Sequence, residues 1–132
     1  MIKTYSEMMK LSTYEERFDY LKLWNAPHVS PDDILYRKFL KTQEWIHFRQ
    51  AMRDRDYLQD LGVEGMFILT KSILHHIDPI TTEDILNHNI HKLLNPENVI
   101  ITSIDTHNRI HYKPVDRVLA TNERKPGDTT LW

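Results

Sequence analysis

The sequence predicts an α+β fold in which helices come first and short strands with a final helix follow. Up to residue 56, apolar residues recur at helical spacing. From Leu61 onward, glycines and prolines separate short runs of strand-forming residues. The 132 residues fit a single domain, since domains average about 100–200 residues. We expect a helical part at 1–60, a core at 61–113 and a C-terminal tail at 114–132.

Two helical stretches are expected in the N-terminal part. The first, at 13–24, places Phe18 and Leu21 three residues apart on an apolar side, and the segment 25–27 with its proline ends it. The second, at 34–54, is typical of one bent helix or of two short ones.

The core is expected to run in the order strand, strand, connection, strand and helix. Strands are predicted for three apolar runs, at 66–69, 72–77 and 99–101. The final helix is predicted to begin at Ser103 and to stop at Pro114. This order puts histidines at the end of one strand and on the final helix.

The composition excludes several classes of site. The chain has no cysteine, which removes disulfides, zinc ribbons and cysteine nucleophiles. Without cysteine, a metal would have to be bound by imidazole, carboxylate or amide groups, and the chain has eight histidines. The N-terminus has no apolar signal-peptide region, and no apolar run approaches the roughly 20 residues that span a bilayer. We therefore expect a cytoplasmic protein without a membrane partner.

Positive charge is concentrated in one segment. The whole chain has a net charge of −2, whereas residues 37–56 have an excess of basic residues. Arg49 and Arg53 are four apart and so share a helix face, with Arg55 close by. Such a face can follow a phosphate backbone, although a solvated helix surface gives the same pattern.

Four histidines form a pattern that suits a metal site. His75 and His76 are adjacent on a predicted strand and so point to opposite faces. His107 and His111 are one helical turn apart and can chelate one ion. With His75 they give three nitrogen ligands and leave a coordination position open, as catalytic zinc sites do. His76 is then a free imidazole that can act as a general base.

Asn98 precedes the third predicted strand and is a candidate for orienting the site. Its side chain can hydrogen-bond backbone groups of the opposite loop and so hold the segment that carries His75 and His76. The alternative is an ordinary turn asparagine, and a His-x3-His pair alone is also common on helix surfaces. The combination of the motifs is much less common than either part.

The segment HHIDPI…NPENVIITSIDTHNRIH resembles the HNH, or His-Me finger, nuclease signature over residues 72–112, and the histidine set is similar to that of the colicin-type DNases. The resemblance implies a ββα-metal core and hydrolysis of DNA phosphodiester bonds. It implies metal ligands at His75, His107 and His111, a general base at His76 and a loop-orienting role for Asn98.

The resemblance also implies one divalent metal ion. Three imidazoles favour zinc, nickel, cobalt or copper, whereas many HNH nucleases use magnesium or manganese, so zinc, nickel, manganese and magnesium all stay open. Many HNH proteins flank the motif with two cysteine pairs that bind a structural zinc, and this chain has none. Arg109, beside His107, can add positive charge at the phosphate or simply face solvent.

The wider chain resembles small HNH proteins that tailed bacteriophages encode. This implies a bacterial host cytoplasm, a link to genome packaging and the phage terminase as a partner; the oligomeric state is not specified. One alternative is a non-catalytic accessory protein that binds nucleic acid or terminase and keeps the HNH fold. Another is a structural metal-binding or pH-responsive domain. A metallopeptidase is disfavoured because the chain has no HExxH motif.

Overall fold

The computed structural model describes residues 3–24 and 26–113, and it confirms the α+β class. Its strands are β1 (Ser72–His76) and β2 (Val99–Ser103), and two 3₁₀ turns lie at Asp60–Gly62 and Pro96–Asn98. Its helices are α1 (Tyr5–Met9), α2 (Tyr14–Leu21), α3 (Ile34–Phe39), α4 (Gln43–Arg55), α5 (Thr82–Leu86), α6 (Ile90–Leu93) and α7 (Ile104–His111). None of these helices is long and apolar enough to cross a membrane. The expected tail at 114–132 lies outside the described residues.

Side-chain caps explain where several helices begin. The Thr13 hydroxyl accepts a hydrogen bond from the Glu16 backbone N–H at the start of α2, and Ser103 does the same for Thr106 in α7. The predicted stretch at 34–54 is two helices, because the chain turns before α4 and Thr42 caps the new helix. Helix α1 was not predicted from the sequence.

The strand predicted at 66–69 is wrong. Phe67 forms only an isolated bridge with Gln59, and the side chains of Met66, Phe67 and Leu69 are exposed. The chain turns at Gly65, whose φ of +86° suits glycine. Only Ile68 of this run is buried, in the core on the α4 face, and the run has strand propensity without a partner strand to pair with.

The antiparallel pair β1–β2 divides the interior into two clusters. Two strands alone are marginally stable in water, so each face needs a cover. Helix α4 packs on one face and α7 packs on the other. The core on the α4 face includes Trp45, Met52, Leu74, Leu93, Val99 and Ile101. The core on the α7 face includes Met8, Phe18, Leu21, Ile77, Ile100 and Ile110.

Side chains from one segment hydrogen-bond the edge of β2 that faces away from β1. Arg55 donates from Nη2 to the Val99 carbonyl at 2.9 Å. Asp56 and Asp60 accept from the backbone N–H groups of Ile101 and Ser103, each at 3.1 Å. These contacts satisfy backbone groups that a third strand would otherwise pair.

Asp60 also fixes the start of α7. Its buried carboxylate accepts hydrogen bonds from the Ser103 hydroxyl at 3.0 Å and from the Thr106 hydroxyl at 2.6 Å. Together with the Ser103 backbone N–H, three donors from the β2–α7 junction converge on this one carboxylate. The position of α7 on the sheet therefore depends on Asp60.

We expect Asp60→Asn to lower the free energy of unfolding by about 1.5–3 kcal/mol, the worth of a hydrogen bond to a charged group. An amide cannot accept with both of its terminal atoms, so at least one donor loses its partner. Urea unfolding measures the change. Glu64→Gln, which removes the same charge from a nearby exposed residue, is the control. Equal losses in the two variants would contradict the role of Asp60.

Candidate metal centre

Three imidazoles meet between the sheet and α7. His75 lies on β1 and points to the face that α7 covers, where His107 and His111 lie on one side of the helix. The ring centroid of His75 is 5.4 Å from that of His107 and 5.1 Å from that of His111. The two helix rings are 4.6 Å apart. We call these three residues the histidine trio.

The trio has the geometry and the protonation state of a metal-binding group. Each residue offers one ring nitrogen, and these nitrogens all lie within 4.8 Å of one another. Burial, followed by the neighbouring histidines, holds the pKa of His75 well below its usual range. Burial is also the main cause that lowers the pKa of His107 to about 4 and that of His111 to about 3. All three are therefore neutral at pH 7, which is the form that binds a metal.

Two nitrogens of the trio are unsatisfied in the described part of the chain. Nε2 of His75 and Nδ1 of His111 are buried and have no hydrogen-bond partner there. A buried polar atom without a partner costs about 1–3 kcal/mol. A cation held between the rings would remove that cost, so the trio fits a metal ion. The donor set alone does not specify which ion.

His76 lies outside the trio, on the opposite face of the sheet. Its ring stacks on Trp45 with centroids 5.4 Å apart, and burial lowers its pKa to about 4. Its Nε2 lies 2.9 Å from the carbonyl oxygen of Leu93. Because a carbonyl only accepts, Nε2 donates, and the lone pair of the neutral ring is on Nδ1.

Asn98 is buried and uses both ends of its amide. Its Oδ1 accepts from the Asp78 backbone N–H at 2.7 Å, and its Nδ2 donates to the carbonyls of Lys92 at 2.9 Å and Asp78 at 3.3 Å. Asn98 thus ties the chain that leaves β1 after His76 to the segment that precedes β2.

The structure places the four candidate arginines in different surroundings. Arg49 and Arg53 are half-buried on α4, which covers the sheet face opposite to the trio. Arg55 bonds Asp56 and two backbone carbonyls and stacks on the Tyr5 ring, so it serves the fold. Arg109 bonds the hydroxyl of Tyr14 and lies over the Phe18 ring, on α2. None of the four is brought into the trio.

One residue at this site was not predicted from the sequence. His28, from the loop between α2 and α3, has its ring centroid 4.3 Å from that of His111. No spacing rule links it to the other histidines, because it lies far upstream in the chain. The only hint was the number of histidines in a chain without cysteine.

No protein-family model, curated protein or solved structure matches the chain.

We expect His107→Ala and His111→Ala each to weaken binding of Zn²⁺ or Ni²⁺ by more than about 100-fold. Loss of a residue that only orients a metal ligand already costs about 10–100-fold, and loss of a ligand should cost more. Each variant removes one of three nitrogen donors. Titration calorimetry at fixed pH measures the affinity. His91→Ala, which removes an exposed histidine of α6, is the control. Affinities that all equal the wild-type value would exclude the trio as the metal site.

Proposed function

We propose that this protein is a metal-dependent HNH endonuclease that hydrolyses DNA phosphodiester bonds. The observation that supports the proposal is the convergence of three neutral imidazoles between an antiparallel strand pair and the helix that follows it. A ββα-metal core would have its site at this place. Incubation of supercoiled plasmid with the protein, EDTA and a panel of divalent metals tests the activity directly.

In the proposed reaction, His75, His107 and His111 hold one divalent ion. When bound, such an ion supplies positive charge to a phosphate oxygen and to the departing 3′ oxygen. Three imidazoles favour zinc or nickel over magnesium, and manganese and magnesium belong to the same test panel. Three protein ligands would leave at least one coordination position open to the phosphate, as in catalytic zinc sites.

We assign the general base to His76. Its Nε2–H is held by the Leu93 carbonyl, so the basic lone pair is on Nδ1 and the tautomer is fixed. The contacts of Asn98 with Asp78 and Lys92 orient the chain next to this ring. To take a proton from the water that attacks phosphorus, the His76 ring would have to turn from the Trp45 side of the sheet towards the trio, because it lies on the opposite face. His76 is not needed as a ligand of the ion.

Arg49 and Arg53 are proposed to contact the phosphate backbone of DNA on the α4 side of the sheet, away from the trio, without reading its sequence. Arg55 no longer belongs to this surface, since internal partners engage most of its donors. The resemblance to small phage HNH proteins extends the proposal to genome packaging, with terminase as the partner.

We expect His76→Ala to lower the rate of plasmid cleavage by roughly 10²–10⁴-fold, the usual contribution of a general base. Metal affinity should stay at the wild-type value, because the ring lies on the other face of the sheet. His88→Ala, which removes an exposed histidine, is the control for cleavage. Wild-type cleavage by His76→Ala would rule out this base, and a loss of metal affinity would make His76 a ligand.

We expect the double variant Arg49→Ala/Arg53→Ala to bind DNA with a weaker salt dependence. Each lost phosphate contact lowers the slope of log affinity against log salt by about 0.9 on duplex DNA. Affinity should fall equally for unrelated sequences. The matched control is Arg37→Ala/Lys38→Ala, which removes two exposed positive charges from α3. If both double variants change the slope equally, only net charge matters and the α4 surface is not the DNA-binding site.

A further inference from the structure

The loop between α2 and α3 brings a fourth imidazole to the histidine trio. The ring of His28 lies 4.3 Å from that of His111 and 6.2 Å from that of Tyr112, measured between centroids. His28 also contributes to the lowered pKa of His107 and His111, after burial. It therefore belongs to the same electrostatic environment as the trio.

Hydrogen bonds hold this loop against the end of α7. The last carbonyls of a helix have no partner within the helix. Here the Leu23 backbone N–H donates to the Ile110 carbonyl at 2.7 Å, and the Trp24 indole N–H donates to the Arg109 carbonyl at 2.9 Å. Beyond His28, the Val29 N–H donates to another carbonyl of the core, that of residue 80. His28 is thus fixed from both sides.

The orientation of His28 differs from that of a ligand of the trio. The trio rings are at 69–72° to one another, with one nitrogen of each converging. The His28 ring is tilted by only 35° against His111, and its nitrogens are not part of the set that lies within 4.8 Å. His28 therefore flanks the trio as an outer residue.

The tautomer of His28 makes Nε2 a hydrogen-bond acceptor. Nδ1 lies 3.3 Å from the Ala26 carbonyl oxygen, which can only accept, so Nδ1 carries the proton. When the ring carries this single proton, its lone pair is on Nε2. A lone pair on a ring that flanks a ligand can accept a hydrogen bond from a water molecule held by the ion.

We propose that His28 accepts a hydrogen bond from the water that fills the coordination position left open by His75, His107 and His111, and so orients that water. The inference rests on the proposed metal site. It makes His28 a positioning residue rather than a ligand. Removing it should destabilise the bound water and lower the affinity for the ion by no more than the worth of that one hydrogen bond.

The test uses the full chain loaded with Co²⁺ and measures the affinity for azide, an anion that displaces water from metals. Azide cannot donate a hydrogen bond to Nε2, whereas the water that it displaces can. His28→Ala should therefore raise the affinity for azide by roughly 2–10-fold, the worth of one neutral hydrogen bond. Affinity for Co²⁺ itself should fall by no more than the same roughly 2–10-fold, since the bound water loses one hydrogen bond and no ligand of the ion is removed. His28→Gln retains an acceptor near the position of Nε2 and should bind azide more nearly like wild type. His91→Ala is the control.

Unchanged azide affinity in His28→Ala would overturn the proposal. So would a more than tenfold loss of Co²⁺ affinity, which would make His28 a ligand, or a wild type that binds Co²⁺ but no azide. Because the measurement needs no DNA, it separates the two proposals. A wild type that binds Co²⁺ and shows the azide effect but cuts no plasmid would refute the endonuclease and leave the role of His28 standing.

Discussion

The hydrogen bonds between the 55–60 segment and the outer edge of β2 are the contacts on which the rest of the structure depends. A two-stranded sheet has two free edges, and here polar side chains satisfy backbone groups along one of them. Burying Asp56 and Asp60 is costly unless donors surround them, and the N–H groups of β2 provide those donors. The same carboxylate of Asp60 then fixes the start of α7, so the edge of the sheet determines where two histidines of the trio lie.

The sequence contained enough information for the trio, because its parts are local. Adjacent residues on a strand point to opposite faces, and residues four apart on a helix share a face. These rules separate His75 from His76 and pair His107 with His111. The α+β class followed from the same periodicities. Only the approach of strand and helix was long-range, and there the spacing of the histidines was a sufficient guide.

Features that depend on long-range contacts could not be predicted in this way. The apolar run at 66–69 has strand propensity, but the 55–60 segment already satisfies the free edge of β2. Arg55 has the charge of a phosphate-binding residue, yet distant carbonyls engage it. His28 reaches the trio only because its loop docks on the end of α7. Each of these positions is set by a partner that is remote in sequence.

The adjacency of His75 and His76 on β1 also limits how the chain can vary in length. An insertion or deletion of one residue within β1 would exchange the two faces of the strand, moving His75 into the Trp45 cluster and His76 towards α7. The variant would keep every histidine but lose the convergence of His75 with His107 and His111. Length changes between the strands, by contrast, fall in connecting segments, which tolerate them better. The strands should therefore conserve their length more strictly than the connection that joins them.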